Sequence, residues 1–260
     1  MNDAPHSWFD SHCHFDFEAF APDREQVWEC ASGAGVAGLL IPGVTARQNA
    51  RLPDFCAGRP WWFGLGLHPY FLSEHQPTDL EWLDQTLASS AAVAVGEIGL
   101  DRVLATDHDL LEAQWFWFRE QVALAQRHNK PLILHIRGMH DEAVAYLRRV
   151  HFSGGGLVHA FSGSEQQGWR WRELGFALGV GGAMTHARAT RLRTTLRRLP
   201  LDCLLLETDS PDMVPAWWGS ARNSPQAIPL LAASLAALHQ INLSELSDLL
   251  GRNRQRFLGV

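Results

Sequence analysis

The sequence predicts a (β/α)8 TIM barrel, a single α/β domain over residues 1–260, and three observations carry that expectation. Short β-rich runs alternate with longer amphipathic segments, as βα units around a parallel sheet do. Eight such runs fit into 260 residues, which is the count and the length of that barrel. No Gly/Ser linker, low-complexity stretch or composition shift divides the chain. Periodicity counts strands without pairing the first with the last, so an open doubly wound sheet is the alternative.

In chain order, the first run, Trp8 to His12, is aromatic and then polar, and a helical pattern follows from Asp23 to Ala31. Val36 to Pro42 and Trp61 to Leu67 are apolar runs, the second leading to a helical pattern over Asp79 to Leu87. Val93 to Ile98 precedes the long amphipathic stretch Leu110 to His128, and Leu132 to Ile136 precedes the helical spacing of Asp141 to Val150. Gly156 to His159, Phe176 to Gly181 and Leu201 to Glu207 complete the strands, with a helical pattern over Ala187 to Leu199 before the last. Two more, Pro229 to His239 and Leu243 to Phe257, close the chain.

A chain that is 46% hydrophobic and 19% charged has the apolar content for a sizeable core, which excludes disorder as its main state. Its net charge of −6 argues against coating long duplex nucleic acid, which takes many Lys/Arg contacts. Gripping one phosphate through metal ions is compatible with that charge. The 4 cysteines (Cys13, Cys30, Cys56, Cys203) show no CxxC spacing, so neither a disulfide framework nor a structural zinc site is expected. Met1 to Trp8 carries Asp3 and no apolar leader run, and no stretch reaches the ~20 apolar residues of a membrane span. The expectation is a soluble cytoplasmic protein with no membrane partner and no evident protein partner.

Barrel active sites are built from the C-terminal ends of strands, and here those ends are polar. His12 and His14 are two apart, so an extended segment puts both on one face with Cys13 turned away. His135, His159, Glu97 and Asp209 each end a different predicted strand. Four neutral imidazoles and two carboxylates suit two divalent cations. Glu97 is expected to bridge the pair, since a carboxylate has two oxygens. Asp209, just past the run Cys203 to Leu206, is expected to ligate a metal and to accept a proton from water. Glu207 is read as a supporting residue behind the ligands, with a structural salt bridge as the alternative.

Arg137 and His68 are donors on the same rim and suit an anionic substrate oxygen. Lys130 precedes the fifth strand, at the opposite end of the barrel, and is excluded as a ligand. His140, His128, His151, His186 and His239 are read as ordinary histidines. The cluster Arg188, Arg191, Arg193, Arg197 and Arg198 reads as a solvated helix face. Trp217-Trp218 and Tyr70-Phe71 are candidates for stacking on bases near the mouth, against ordinary packing.

Assembled, these residues resemble the TatD family of metal-dependent deoxyribonucleases, within the amidohydrolase-like metal barrels. The likeness covers nearly the whole chain: Phe9-Asp10-Ser11-His12-Cys13-His14, Gly66-Leu67-His68-Pro69, Val95-Gly96-Glu97-Ile98-Gly99-Leu100-Asp101, His135-Ile136-Arg137, His159-Ala160-Phe161-Ser162-Gly163, Glu207-Thr208-Asp209-Ser210-Pro211 and a terminal Asn253 to Phe257. The resemblance implies two divalent metals on His12, His14, Glu97, His135, His159 and Asp209, and phosphodiester hydrolysis with trimming from a 3′ end. Ser210 and Ile136 depart from the family's usual Ala and small polar residue. Neither replaces a ligand.

The expected function is therefore metal-dependent phosphodiester hydrolysis, a 3′-5′ exodeoxyribonuclease acting on single-stranded or frayed DNA ends or short oligonucleotides, with Asp209 and Glu97 catalytic and His68 and Arg137 binding substrate. Hydrolysis of a small ester, amide or phosphate ester at the same centre is the alternative. A barrel that only binds a partner is disfavoured by so many ionisable groups at strand ends. The donor set leaves Zn, Mn, Fe, Co and Ni open and suits Mg less well.

Overall fold

The apolar runs pair in parallel, in sequence order, as β1 (Trp8–Asp10), β2 (Val36–Ile41), β3 (Trp61–Leu65), β4 (Ala94–Asp101), β5 (Leu132–Arg137), β6 (Gly156–Val158), β7 (Phe176–Val180) and β8 (Leu204–Leu206). This computed structural model describes residues 6–260; the expectation drawn from Met1 to Pro5 lies outside the described residues. An open doubly wound sheet reverses its strand order at a switch point, and no reversal occurs here. The seam between β8 and β1 is joined at the rim. Ser11 donates its N–H and its hydroxyl to the Leu206 carbonyl at 3.0 and 2.9 Å, and the Asp209 N–H donates to the His12 carbonyl at 2.9 Å. Asp10 adds a side-chain clasp, accepting from the Thr208 N–H at 2.9 Å and its hydroxyl at 2.6 Å. The result is a nearly closed TIM barrel.

Strands of a parallel barrel are covered on both faces, so they read as continuous apolar runs; every residue of β4, β7 and β8 is buried. The surrounding helices are α1 (Arg24–Gly33), α2 (Ala46–Asn49), α3 (Leu52–Cys56), α4 (Pro77–Ser89), α5 (His108–Arg127), α6 (His140–Arg149), α7 (Glu165–Glu173), α8 (Thr190–Arg198), α9 (Ile228–His239) and α10 (Leu243–Leu258). Among these, α2, α3 and α7 were not anticipated. The first strand stops at Asp10, two residues short of the expected end, because Ser11 turns to the seam. The expected eighth strand is shorter at its start, where Leu201–Cys203 forms a 3-10 turn.

Helix α5 does more than cover the sheet. Gln114 and Gln121, seven apart and so on one helical face, are both buried and turned toward the barrel rim. Gln121 accepts from the Leu67 N–H at 2.7 Å and donates to its carbonyl at 3.0 Å, which fixes the backbone just before His68. Gln114 makes the same pair with Asp101, at 2.8 and 3.0 Å. No single helix among the described residues is long and apolar enough to cross a membrane.

Candidate metal centre

Glu97 is the hub of the site. The β4–β5 ladder breaks its register between Val95 and Ile98. At that break the Glu97 N–H donates instead to the Gly43 carbonyl at 2.7 Å, and the Gly43 N–H to the Gly96 carbonyl at 3.0 Å. Position 96 must be glycine, since a Cβ there would lie 2.5 Å from the Ile133 Cβ. The Glu97 carboxylate, 1% exposed, then sits among five imidazoles. Its Oε2 lies 3.1 Å from His12 Nε2 and 3.5 Å from His14 Nε2. Its Oε1 lies 2.7 Å from His159 Nε2, 3.0 Å from His68 Nε2 and 3.3 Å from His135 Nδ1. Asp209 Oδ1 faces the first group, 3.4 Å from His12 Nε2 and 3.5 Å from His14 Nε2.

All six expected ligands are therefore brought together, and with His68, which was expected to bind substrate, their donor atoms fall into sets close enough to share an ion: His12, His14 and Glu97; His12, His159 and Asp209; His68, Glu97 and His135. A second observation shows that these residues fit a cation. His12 Nδ1 and Nε2, His14 Nδ1, His159 Nδ1 and Glu97 Oε2 are buried without a hydrogen-bond partner among the described residues. A buried orphan costs ~1–3 kcal/mol, and His12 Nε2 and Glu97 Oε2, which face each other at 3.1 Å inside the cluster, fit an electron-pair acceptor shared between them.

The charge states follow from the surroundings. Burial and the neighbouring His159 bring His12 down to about 4, so it is neutral with a free lone pair. Burial also opposes charge on His14 and His135, yet both rise to about 9: the hydrogen bond to Asp209 and the charge of Glu97 prevail for the first, and hydrogen bonds to Asp101 and Glu97 for the second. Glu97 stays well below the usual carboxylate range; its burial is outweighed by the imidazoles around it. Asp209 is likewise lowered, against burial, by His159, His14 and His12.

His68 is buried, where a rim donor was expected. Its Nδ1 accepts the Tyr70 N–H at 2.9 Å, which leaves its proton on Nε2, facing Glu97. Burial holds it at about 4, neutral. Arg137 does lie on the rim, exposed, 4.0 Å from Asp101 Oδ2, but it does not line the mouth. Glu207 supports the cluster from behind: Oε1 accepts the Ala160 N–H at 2.5 Å, 3.9 Å from His159 Nδ1, and burial raises its carboxyl well above the usual range. Lys130 donates to the Ala92 carbonyl, before β4 begins, consistent with its exclusion.

Two readings change. Arg193 is not part of a solvated face, because its guanidinium donates to the carbonyls of Met184, His186 and Ala187. The Trp217-Trp218 pair does not line the mouth: Trp218 is half-buried, donates to the Arg222 carbonyl at 3.0 Å and flanks a separate cavity with Asp23 and Cys30. Tyr70 and Phe71 do line it, together with Phe17, which was not singled out.

Asp101, which ends the motif Val95 to Asp101, has a role that the sequence did not reveal. Its Oδ2 accepts from His135 Nε2 at 3.0 Å while its Oδ1 accepts the N–H groups of Val103 at 2.8 Å and Leu104 at 3.3 Å. A carboxylate behind a histidine fixes which ring nitrogen carries the proton, and here that leaves Nδ1 toward Glu97. The signal was the even spacing of Glu97 and Asp101 along one strand.

Comparison with known proteins adds to this geometry. The family described as TatD related DNase matches residues 9–259. An Escherichia coli K12 protein named as the uncharacterized metal-dependent hydrolase YjjV is 39% identical over 256 residues, covering 97% of this chain and 98% of the relative. The crystal structure of YjjV, a TatD homologue, superposes with a TM-score of 0.91 at 38% identity, over 97% of this chain and 98% of that one. An Erwinia billingiae protein named 3′-5′ ssDNA/RNA exonuclease TatD is 32% identical over 238 residues, 88% of this chain and 90% of the relative.

Proposed function

The chain belongs to the TatD family of metal-dependent hydrolases, and from that premise we propose that residues 1–260 act as one phosphodiesterase unit that trims nucleotides from the 3′ ends of single-stranded or frayed DNA. The observation that carries this reading is the division of donors between the two oxygens of Glu97. On this reading His12, His14 and Asp209 would hold one divalent ion and His135 and His159 the other, with Glu97 contributing a carboxylate oxygen to each set. Bound there, such ions would supply the positive charge that polarises a phosphoryl oxygen and renders water acidic near neutral pH. The imidazole and carboxylate donors suit Zn, Mn, Fe, Co or Ni better than Mg.

The protein's own groups then have distinct tasks. Asp209, kept ionised by its histidine neighbours, accepts the proton of the attacking water at Oδ1. Glu97 fixes the spacing of the two half-sites. His68 shares its Nε2–H between Glu97 and an incoming phosphate oxygen, and Arg137 meets the substrate's charge at the rim. Tyr70, Phe71 and Phe17 wall the mouth with faces on which bases can stack. The name of the Erwinia billingiae relative supports the direction of trimming.

The test is digestion of 5′-labelled oligonucleotides with and without added metal. A ladder shortening by one nucleotide at a time from the 3′ end supports the reading. Equally fast cutting of closed circular DNA refutes end trimming. The mouth cavity, about 340 Å³, is small-molecule sized. That size favours a small ester, amide or phosphate ester as the second reading, and a panel of such substrates without oligonucleotide cleavage would establish it.

A further inference from the structure

A second cavity, of about 410 Å³, opens beside the mouth and shares three lining residues with it, Phe17, Val44 and Phe71. They come from three different loops, after β1, β2 and β3, and form an apolar saddle between the two spaces. Phe17 is stacked on His14 with ring centroids 4.6 Å apart, so the saddle begins at the metal-facing cluster itself. On its far side stand Arg47, on α2, and Arg51, at the start of α3, both exposed. Neither forms an ion pair among the described residues, unlike Arg59 with Glu25 or Arg222 with Asp23. Asp16, Glu18 and Glu74 share this cavity. Asp16 accepts from Gln48 Nε2 at 2.9 Å, and its burial raises its carboxyl, against Gln48 and the nearby Arg51.

We propose that this second cavity is the subsite for the nucleotide adjoining the scissile phosphate, with its base on the Phe17–Phe71 saddle and its phosphate between Arg47 and Arg51. The proposal rests on the phosphodiesterase reading above. A strand held at Glu97 has this saddle as an apolar way out of the mouth, and stacking on phenylalanine accepts any base because every base has a π-face. Two guanidinium forks without carboxylate partners match one phosphate. The three carboxylates keep the cavity from accepting a longer run of phosphates. The enzyme should therefore prefer a substrate of two or more nucleotides over a single nucleotide ester, without sequence preference.

The experiment measures binding of fluorescent trithymidylate and of thymidine 5′-(p-nitrophenyl phosphate) by anisotropy and competition across a salt series, alongside hydrolysis of both. The proteins are wild type, the Arg47→Gln/Arg51→Gln double variant, whose changes are at exposed sites, and Phe71→Leu. Wild type should bind the trinucleotide more tightly than the single ester, and the double variant should lose that gain. Its log–log salt slope should fall by about 0.7, the value for one phosphate contact on a single strand. Phe71→Leu should weaken trinucleotide binding about fivefold or more. An undiminished gain and slope in the double variant overturn the subsite, even if oligonucleotides are cleaved. Failure of the nuclease reading looks different: wild type would hydrolyse the single ester and no oligonucleotide, while the binding series still reads the cavity by the presence or absence of the length-dependent gain.

Discussion

Asp101→Asn changes one oxygen to an NH2 group and almost nothing in volume, yet the surrounding hydrogen bonds dictate a large effect on the centre. The amide has two orientations, and the N–H groups of Val103 and Leu104 select one, because both need the acceptor that Oδ1 now provides. The NH2 must then face His135 Nε2, which at present donates to Asp101 at 3.0 Å. Two donors cannot share that contact, so the ring, once neutral as a ligand must be, keeps its proton not on Nε2 but on Nδ1, the atom 3.3 Å from Glu97 Oε1. His135 then presents an N–H where a ligand lone pair is required. Loss of such a supporting carboxylate typically costs 10- to 100-fold in metal affinity, or about 1.4 to 2.7 kcal/mol. Chelator competition with Zn2+ or Mn2+ measures it, and ring 15N shifts of His135 report the tautomer. Affinity within twofold of wild type, with the proton still on Nε2, would refute the reasoning.

Three further outcomes are expected. Asp209→Asn should lower hydrolysis by about 10²- to 10⁴-fold, the range for a lost general base, with the melting temperature nearly unchanged; full activity would remove Asp209 from the chemistry. His140 is buried, accepts the Trp171 indole N–H at 3.1 Å and is held at about 4 against an ordinary 6.5. Its neutral form favours the fold, so its contribution is complete above pH 6.5 and is lost as pH falls toward 4; His140→Gln should flatten that acid loss by up to about 3 kcal/mol in denaturant titrations, and an identical pH profile would contradict it. Gly99→Ala would put a Cβ 1.8 Å from the His135 carbonyl oxygen, forcing β4 from β5. It should cost ~1–3 kcal/mol, read as a lower melting temperature, and unchanged melting would falsify the close contact.

The barrel was legible because each parallel strand is covered on both faces and so appears as an uninterrupted apolar run ending in polar residues. The same rule located His12, His14, Glu97, His135, His159 and Asp209, since a charged or imidazole side chain straight after such a run has few reasons to be there. Helix α7 was not legible from periodicity, because only Gly168 and Trp171 of its residues are buried. Its signal was local: Ser164 and Gln167 form a capping box. Arg193 and Asp101 were misread or passed over for a common reason. Their partners are set by the fold, in one case carbonyls of the preceding turn, in the other a histidine on the next strand. For His68, which lines the mouth, the sequence did not show which ring nitrogen donates; the Tyr70 N–H, two residues away, leaves the proton on Nε2.

The central claim is that the two oxygens of Glu97 divide the histidines into two half-sites. Its most direct test is metal content by elemental analysis of the purified protein after equilibration with Mn2+ or Zn2+, for wild type and for Glu97→Gln. The account predicts about two ions per wild-type chain, with at least one lost from Glu97→Gln and hydrolysis lost with it. A single ion in the wild type, or two ions retained at unchanged affinity in Glu97→Gln, would contradict it.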